Sequence, residues 1–297
     1  MSVDILLSFA FHRTTDLGAV RAALGPDQRL MIDSGGFTAF SKGKEIRLSD
    51  YIAFLRHWEG AWDYAMSLDV IGNPQATAAN LHSLERAGIA VLPIYTATAH
   101  PRELSALAKT HPYVAYGGLV GVPRSLQIPA TQRVVALAQE HGCKVHALGQ
   151  TGIEMFDATG VHSGDSSAVS NAARYFQLPI FVPQRRRMEP LMFGQPSLWT
   201  TQAVLLKAYG LSAPECISGD AVRSKEGRAA VYYAGCLSVA TMAAALRNGA
   251  NEPRVYSALT ASEVVDGACR AAIDWRANNV HHSLLRLKSG RTTKGKP

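Results

Sequence analysis

The chain has 297 residues, 47% of them hydrophobic and 18% charged, which is enough apolar material for one large domain or two ordinary ones. No twenty-residue apolar span and no signal-peptide layout stands out, so neither a membrane protein nor a secreted one is expected. The formal net charge of +7 and a pI near 9.3 suit a polyanionic partner without requiring one. The four cysteines, at 143, 216, 236 and 269, form no CxxC or CxC spacing, so neither a zinc knuckle nor a disulfide framework is indicated and the default setting is the reducing cytoplasm.

In chain order, Ile5 to Phe11 reads as a first strand and Asp16 to Leu24 as a short helix. Arg29 to Asp33 is a second strand, followed by a helix carrying Tyr51, Phe54, Leu55 and Trp58 at spacings of three and four. Tyr64 to Asp69 is a third strand. Asn73 and Pro74 then open a helix as N-cap and first helical residue, and Gly88 ends it. The rhythm continues with strands at Val91–Tyr95, Val114–Leu119, Lys144–Leu148 and Gly160–Asp165, and a last strand candidate at Pro179–Val182. Helices fall between them at His100–Lys109, Pro129–His141, Ile153–Ala158 and Val169–Tyr175. About eight such units predict an α/β fold, a closed (β/α)8 barrel of the TIM type over residues 1–185, with an open doubly wound sheet as the alternative.

Beyond 185 the rhythm stops. Ser197–Tyr209, Arg228–Arg247 and Ala261–Asn278 read as helices, giving a helical region over 186–285 packed on the barrel. Residues 286–297 are basic, lack apolar anchors and are expected to be disordered.

Three carboxylates, Asp33, Asp69 and Asp165, fall where strands end, and barrel enzymes draw their reactive groups from strand C-termini. Each alone is as well explained by helix capping or an arginine partner; together they suggest one shared site. Gly117-Gly118 and Gly149 would bring bare backbone N–H groups to the same rim. His146, inside a strand, reads as a satisfied core residue, and His162 as a supporting neighbour of Asp165. The run Arg185-Arg186-Arg187 is either a solvated loop or a phosphate contact.

These motifs, in this order, resemble the tRNA-guanine transglycosylase superfamily. Asp33-Ser34-Gly35-Gly36-Phe37-Thr38 is similar to its Asp-Ser-Gly-Gly-Phe-Gln signature, with Thr in place of Gln. Gly117-Gly118-Leu119 matches its Gly-Gly-Leu segment, and Gly160 to Asp165 looks like the segment that ends in its nucleophile. Ala173-Arg174 matches a later Ala-Arg pair. Met155-Phe156-Asp157 also spells the family's Met-Phe-Asp, but Asp157 lies in a helical pattern too soon after Gly149. The family's zinc motif is absent, as is the Gln that reads the base from the strand at 91–95. The short chain and Ser163-Gly164-Asp165-Ser166 look more like the phage and genomic-island branch, which exchanges guanine in DNA for a 7-deazaguanine of the preQ0 type.

The resemblance implies Asp165 as nucleophile and Asp33 as general acid/base. It implies Asp69, Ser34, Gly35, Gly117, Gly118 and Gly149 around the substrate base, and Arg174 and Arg185 to Arg187 on phosphates. It implies no cofactor and no metal, with DNA and a free 7-deazaguanine as partners, in the cytoplasm of the host if phage-encoded. The same exchange on tRNA is the nearest alternative. A non-catalytic nucleic-acid-binding barrel is another, and a metal-dependent or aldolase-type barrel would need a ligand cluster or strand-end lysine that is not evident. The sequence leaves the oligomeric state open.

Overall fold

A computed structural model describes residues 3–195, 203–246 and 253–265. Barrel strands β1 (Asp4–Ser8), β2 (Leu30–Asp33), β3 (Tyr64–Ala65), β4 (Ile94–Thr96), β5 (Tyr113–Gly117), β6 (Lys144–Ala147) and β7 (Ser163–Ser166) follow one another as the sequence rhythm predicts. The eighth strand does not. Pro179–Val182 belongs to an antiparallel hairpin, β8 (Gln177–Val182) with β9 (Arg187–Met192), outside the barrel. The strand that completes the barrel is β10 (Arg254–Ala258), inserted in parallel between β1 and β7. The sheet order is β3-β2-β1-β10-β7-β6-β5-β4. Its two edges meet where Leu92 N–H donates to Ala65 O (2.7 Å) and Ser67 N–H donates to Leu92 O (2.8 Å). The expected barrel is present, but its boundary at residue 185 is corrected: residues 167–253 are an insertion before the last strand.

Strand alternation sorts the side chains into two cores. Ile5, Leu7, Leu30, Ile32, Val114 and Val145 face outward under the helices. Leu6, Met31, Met66, Leu92, Ala115 and Tyr256 fill the barrel interior as a separate cluster. Below them, at the N-terminal end, Arg254 Nη1 meets the buried Asp4 Oδ2 at 2.6 Å, tying β10 to β1. The helices obey local rules: Asp16 accepts from Ala19 N–H and Asn73 from Ala76 N–H, each at 3.0 Å, with Pro74 at the first helical turn.

The insertion is held by side chains that satisfy the free edge of β8. Ser238 Oγ accepts from Phe181 N–H (2.7 Å), and Tyr209 O–H donates to Phe181 O (2.8 Å). Ser238 lies on helix Lys225–Leu246, which is long and apolar enough to cross a membrane by length and composition and is mostly buried here. Gly235 lets that helix come close, since a Cβ there would sit 2.7 Å from Val169 Cγ1. The expected helices at Ser197–Tyr209 and Ala261–Asn278 are seen as Ala203–Ala208 and Ala261–Val265. Their remainders, and the tail from 286, lie outside the described residues.

Removing Arg254 tests β10 as the closing strand. An Arg254→Met chain leaves Asp4 buried without its cation and should lose about 3–5 kcal/mol in urea unfolding. Asp4 is already held up at about 6, by burial first and against the lowering effect of Arg254. Without Arg254 its carboxyl rises further above its unfolded value, so the loss should be larger at pH 8 than at pH 5. An equal loss at both pH values would place Asp4 outside the balance.

Candidate active site

Asp33 ends β2, Asp165 lies in β7, and Asp69 follows β3, so all three reach the C-terminal mouth of the barrel. They share one electrostatic site. The Asp33 carboxyl is pushed up to about 7, by burial first, then by the charge of Asp69 and, less, by that of Asp165. Donation from Gly35 N–H opposes the rise. The Asp69 carboxyl is raised as well, by burial, against a hydrogen bond from Ser34.

The Asp-Ser-Gly-Gly stretch works as a spacer between strand ends. Gly35 has φ +79° and packs on Ala10, with Ser8 Oγ 2.6 Å from where a Cβ would stand. Gly36 backs onto Asp69 so closely that any Cβ would overlap its carboxylate. Ser34 is buried and donates to Asp69 Oδ1 at 3.4 Å, while its Oγ accepts from Gly36 N–H at 3.3 Å. Ser34 and Gly35, expected around the substrate, therefore stand behind the carboxylates and hold them. Gly117 is buried against Leu148, while Gly118 (φ +84°) and Gly149 are exposed on the rim.

Gly149 has a different job from the one expected of it. Its N–H donates to Asp165 Oδ1 at 2.9 Å. The same oxygen meets His146 Nε2 at 3.2 Å, and Oδ2 has no hydrogen-bond partner among the described residues. Gly164 makes room for this, because a Cβ there would overlap the Gln150 carbonyl of the loop that delivers Gly149. His146 is fully buried, its Nδ1 lies 2.6 Å from Ser163 Oγ, and Ser163 Oγ is in turn bonded to Tyr113 O–H. A carboxylate only accepts, so with a neutral imidazole the chain has one direction. Tyr113 donates to Ser163, Ser163 to His146 Nδ1, and His146 Nε2–H to Asp165.

His146 is the satisfied core histidine the sequence suggested, but it also touches the candidate nucleophile. Ser163 entered the sequence reading only as part of the Ser163-Gly164-Asp165-Ser166 motif, with no role of its own, and Tyr113 was not singled out. The available signal was strand parity, since Ser163 and Asp165 share a face and His146 is in register with Ser163. His162 lies edge-on to Tyr113 at 5.4 Å, and burial, with Lys144 and Arg254 nearby, pushes it down to about 4.

The arginine run lies elsewhere. Arg185 and Arg187 both pair with Glu189, at 2.8 and 2.9 Å. Arg186 forks onto both oxygens of Asp157 and donates to Ala245 O at 2.8 Å. Asp157 is on the helix descending from β6, and Ala245 ends the helix that leads to the start of β10, so the hairpin tip points toward the N-terminal end of the barrel. That corrects the expectation of Arg185, Arg186 and Arg187 beside the site. Arg174, behind β7, is exposed at the mouth end and lies over the Tyr175 ring. A cavity of about 390 Å³ lies between the loop after β6, β7 and the insertion, lined by Gly149, Gln150 and Ser166 on one side and Pro179, Met188 and Val239 on the other; none of the three carboxylates lines it. Among the described residues no group of three metal-ligating side chains is present.

No family model and no curated protein matches the chain. Among solved structures it is similar to tryptophan synthase subunit alpha from Campylobacter jejuni, with 12% identity and a TM-score of 0.31 over 46% of this chain. The chain spans about half of that structure, 54%. It is also similar to a xylose isomerase domain protein from Planctomyces limnophilus, with 11% identity and a TM-score of 0.27, covering 97% of this chain and 96% of the other.

The directional chain makes a spectroscopic prediction. Nitrogen-15 imidazole spectra of the full chain at neutral pH should show His146 with its proton on Nε2. His146→Phe should lose about 1–3 kcal/mol in denaturant unfolding, because Ser163 is left buried without its acceptor. A proton on Nδ1 would reverse the direction and remove the donor from Asp165.

Proposed function

We propose that the chain is a base-exchange transglycosylase that replaces guanine in DNA with a 7-deazaguanine through a covalent bond to Asp165. The observation that carries this reading is the shared mouth: Asp33 is raised to about 7 by burial and by two neighbouring carboxylates, while Asp165 is tethered through one oxygen only. The residue order along the chain supports the same assignment.

Asp165 Oδ2 attacks the anomeric carbon of the target nucleotide, forming a sugar–carboxylate ester as the bond to guanine breaks. A carboxylate suits an oxocarbenium-like transition state. The departing base takes the proton of Asp33. A group poised near neutral pH can give that proton and then accept one from the incoming 7-deazaguanine. The incoming ring nitrogen displaces Asp165 from the sugar and restores the free carboxylate. Asp69 accepts from the ring N–H and exocyclic amine of the base, a two-point contact for one carboxylate. Gly118 offers its backbone N–H to the base carbonyl. The nucleotide must leave its stack to reach a barrel mouth. No cofactor enters these steps.

The test is incorporation of labelled 7-deazaguanine, with separate DNA and tRNA arms, and trapping of the adduct on a denaturing gel. Asp165→Asn should abolish the adduct. Asp33→Asn should still permit one but slow exchange by about a hundredfold to ten-thousandfold. Label in tRNA alone would change the substrate, and activity in both variants would remove the mechanism.

Asp33 also predicts a pH dependence. Its folded value lies above its unfolded one, so its contribution to stability is full below about pH 4 and is lost as pH rises toward 7. Adduct formation should fall above about pH 7 as the proton is lost. Asp33→Asn should flatten that limb and raise the urea midpoint at pH 8. An unchanged limb in the variant would assign the proton to another group.

A further inference from the structure

Exposed apolar side chains are ordinarily scattered over a folded surface. Among the described residues they are confined to one end. All nine exposed large hydrophobics among the described residues lie on segments leaving the C-terminal ends of barrel strands. Phe11 follows β1, Phe37 and Phe40 follow β2, and Tyr175 and Phe176 follow β7; the other four follow β3, β5 and β10. Among the described residues, the loops at the opposite end carry none. Phe40 is 61% exposed and Tyr175 60%, on opposite sides of the strand pair β1–β10.

Cations accompany these rings. Lys42 Nζ lies 4.5 Å from the Phe11 centroid and the Arg174 guanidinium 5.3 Å from that of Tyr175. Arg13 lies 5.0 Å from the ring of Phe9, on the same end. The mouth inside this border carries the acidic side chains of Asp33, Asp69 and Asp165. Phosphates are therefore repelled from the centre and attracted to the border, while a neutral base can enter the middle.

We infer that the rim binds unpaired nucleic acid, stacking the bases that flank the extruded nucleotide on Phe11, Phe40 and Tyr175 and holding their phosphates on Lys42 and Arg174. A duplex buries its base faces, so exposed rings reward a strand that is already open or is opened on the protein. A purely electrostatic duplex site would need cations without rings. This inference rests on the proposed base exchange for its target nucleotide, but it is a statement about binding and can be tested without turnover.

The probe is a fluorescein-labelled, guanine-containing single-stranded DNA, read by anisotropy against the full chain carrying Asp165→Asn. The same sequence as duplex DNA and as single-stranded RNA forms the comparison. The single strand should bind more tightly than the duplex. Phe40→Ala and Tyr175→Ala should each weaken it by roughly fivefold to a hundredfold, and Phe40→Trp should retain it. Lys42→Ala should lower the salt slope by about 0.7.

Binding that is equal for single strand and duplex, or unchanged in both alanine variants, overturns the inference. So does a concentration-dependent dimer of the parent that Phe40→Ala dissolves, which would assign the rings to a second copy of the chain. Ring-dependent binding by a chain that forms no adduct with Asp165 intact would leave this surface standing and end the base-exchange reading. Exchange that proceeds at parental rates and affinities in the ring variants would do the reverse.

Discussion

Placing β10 between β1 and β7 sets the geometry on which the mouth depends. Parallel pairing on both sides of β10 puts Asp33, at the end of β2, and Asp165, in β7, on neighbouring parts of one rim. Without this strand β7 would have no partner on that side and the barrel would stay open. The contact of the half-buried Arg254 with the buried Asp4 ties β10 to β1 at the lower end. The long insertion reaches it indirectly, through Ser238 and Tyr209, which satisfy the hairpin edge, and through Gly235, which lets the preceding helix pack closely. A contact of this kind favours one register, because any slip would leave Asp4 buried without its cation.

The same closure forces three carboxylates together. Like charges in a partly desolvated mouth resist joint ionisation, and the structure meets that tension unevenly. Asp33 takes most of it and holds a proton near neutrality. Asp165 meets two donors on one oxygen, Gly149 N–H and His146 Nε2. The glycines at 35, 36 and 164 make these contacts possible, since each stands where a Cβ would collide with an adjoining strand end or loop. Their importance is steric as much as conformational.

The two ends of the barrel differ in how they treat charge and apolar surface. Away from the mouth, the arginines of the hairpin tip are matched to Asp157 and Glu189 and serve to dock the insertion. At the mouth, Arg174 and Lys42 lie over aromatic rings instead of carboxylates. Matched charges stabilise an internal contact, whereas cations beside exposed rings remain available to something outside the chain.

Much of this was written locally. Strand and helix periodicity, the Asn73-Pro74 helix start, the apolar run ending in Asp33 and the small-residue one reaching Asp165 are patterns a few residues long, and the structure follows them. The barrel was therefore legible from its first seven units. The eighth was not: Gln177–Val182 is apolar enough to pass for a buried strand, yet Pro179 faces Pro190 across a hairpin. Arg254–Ala258, which begins with a charge, offers no such run. The arginine run looked available because its acids lie on other elements. His146 looked inert because its contacts with Ser163 and Asp165 come from strand register. Asp4 and Arg254 are 250 residues apart, a separation no periodicity or capping rule spans. Local sequence settles backbone preference within a turn or a strand. Which strands become neighbours, and so which charges meet, is decided only when the whole chain closes.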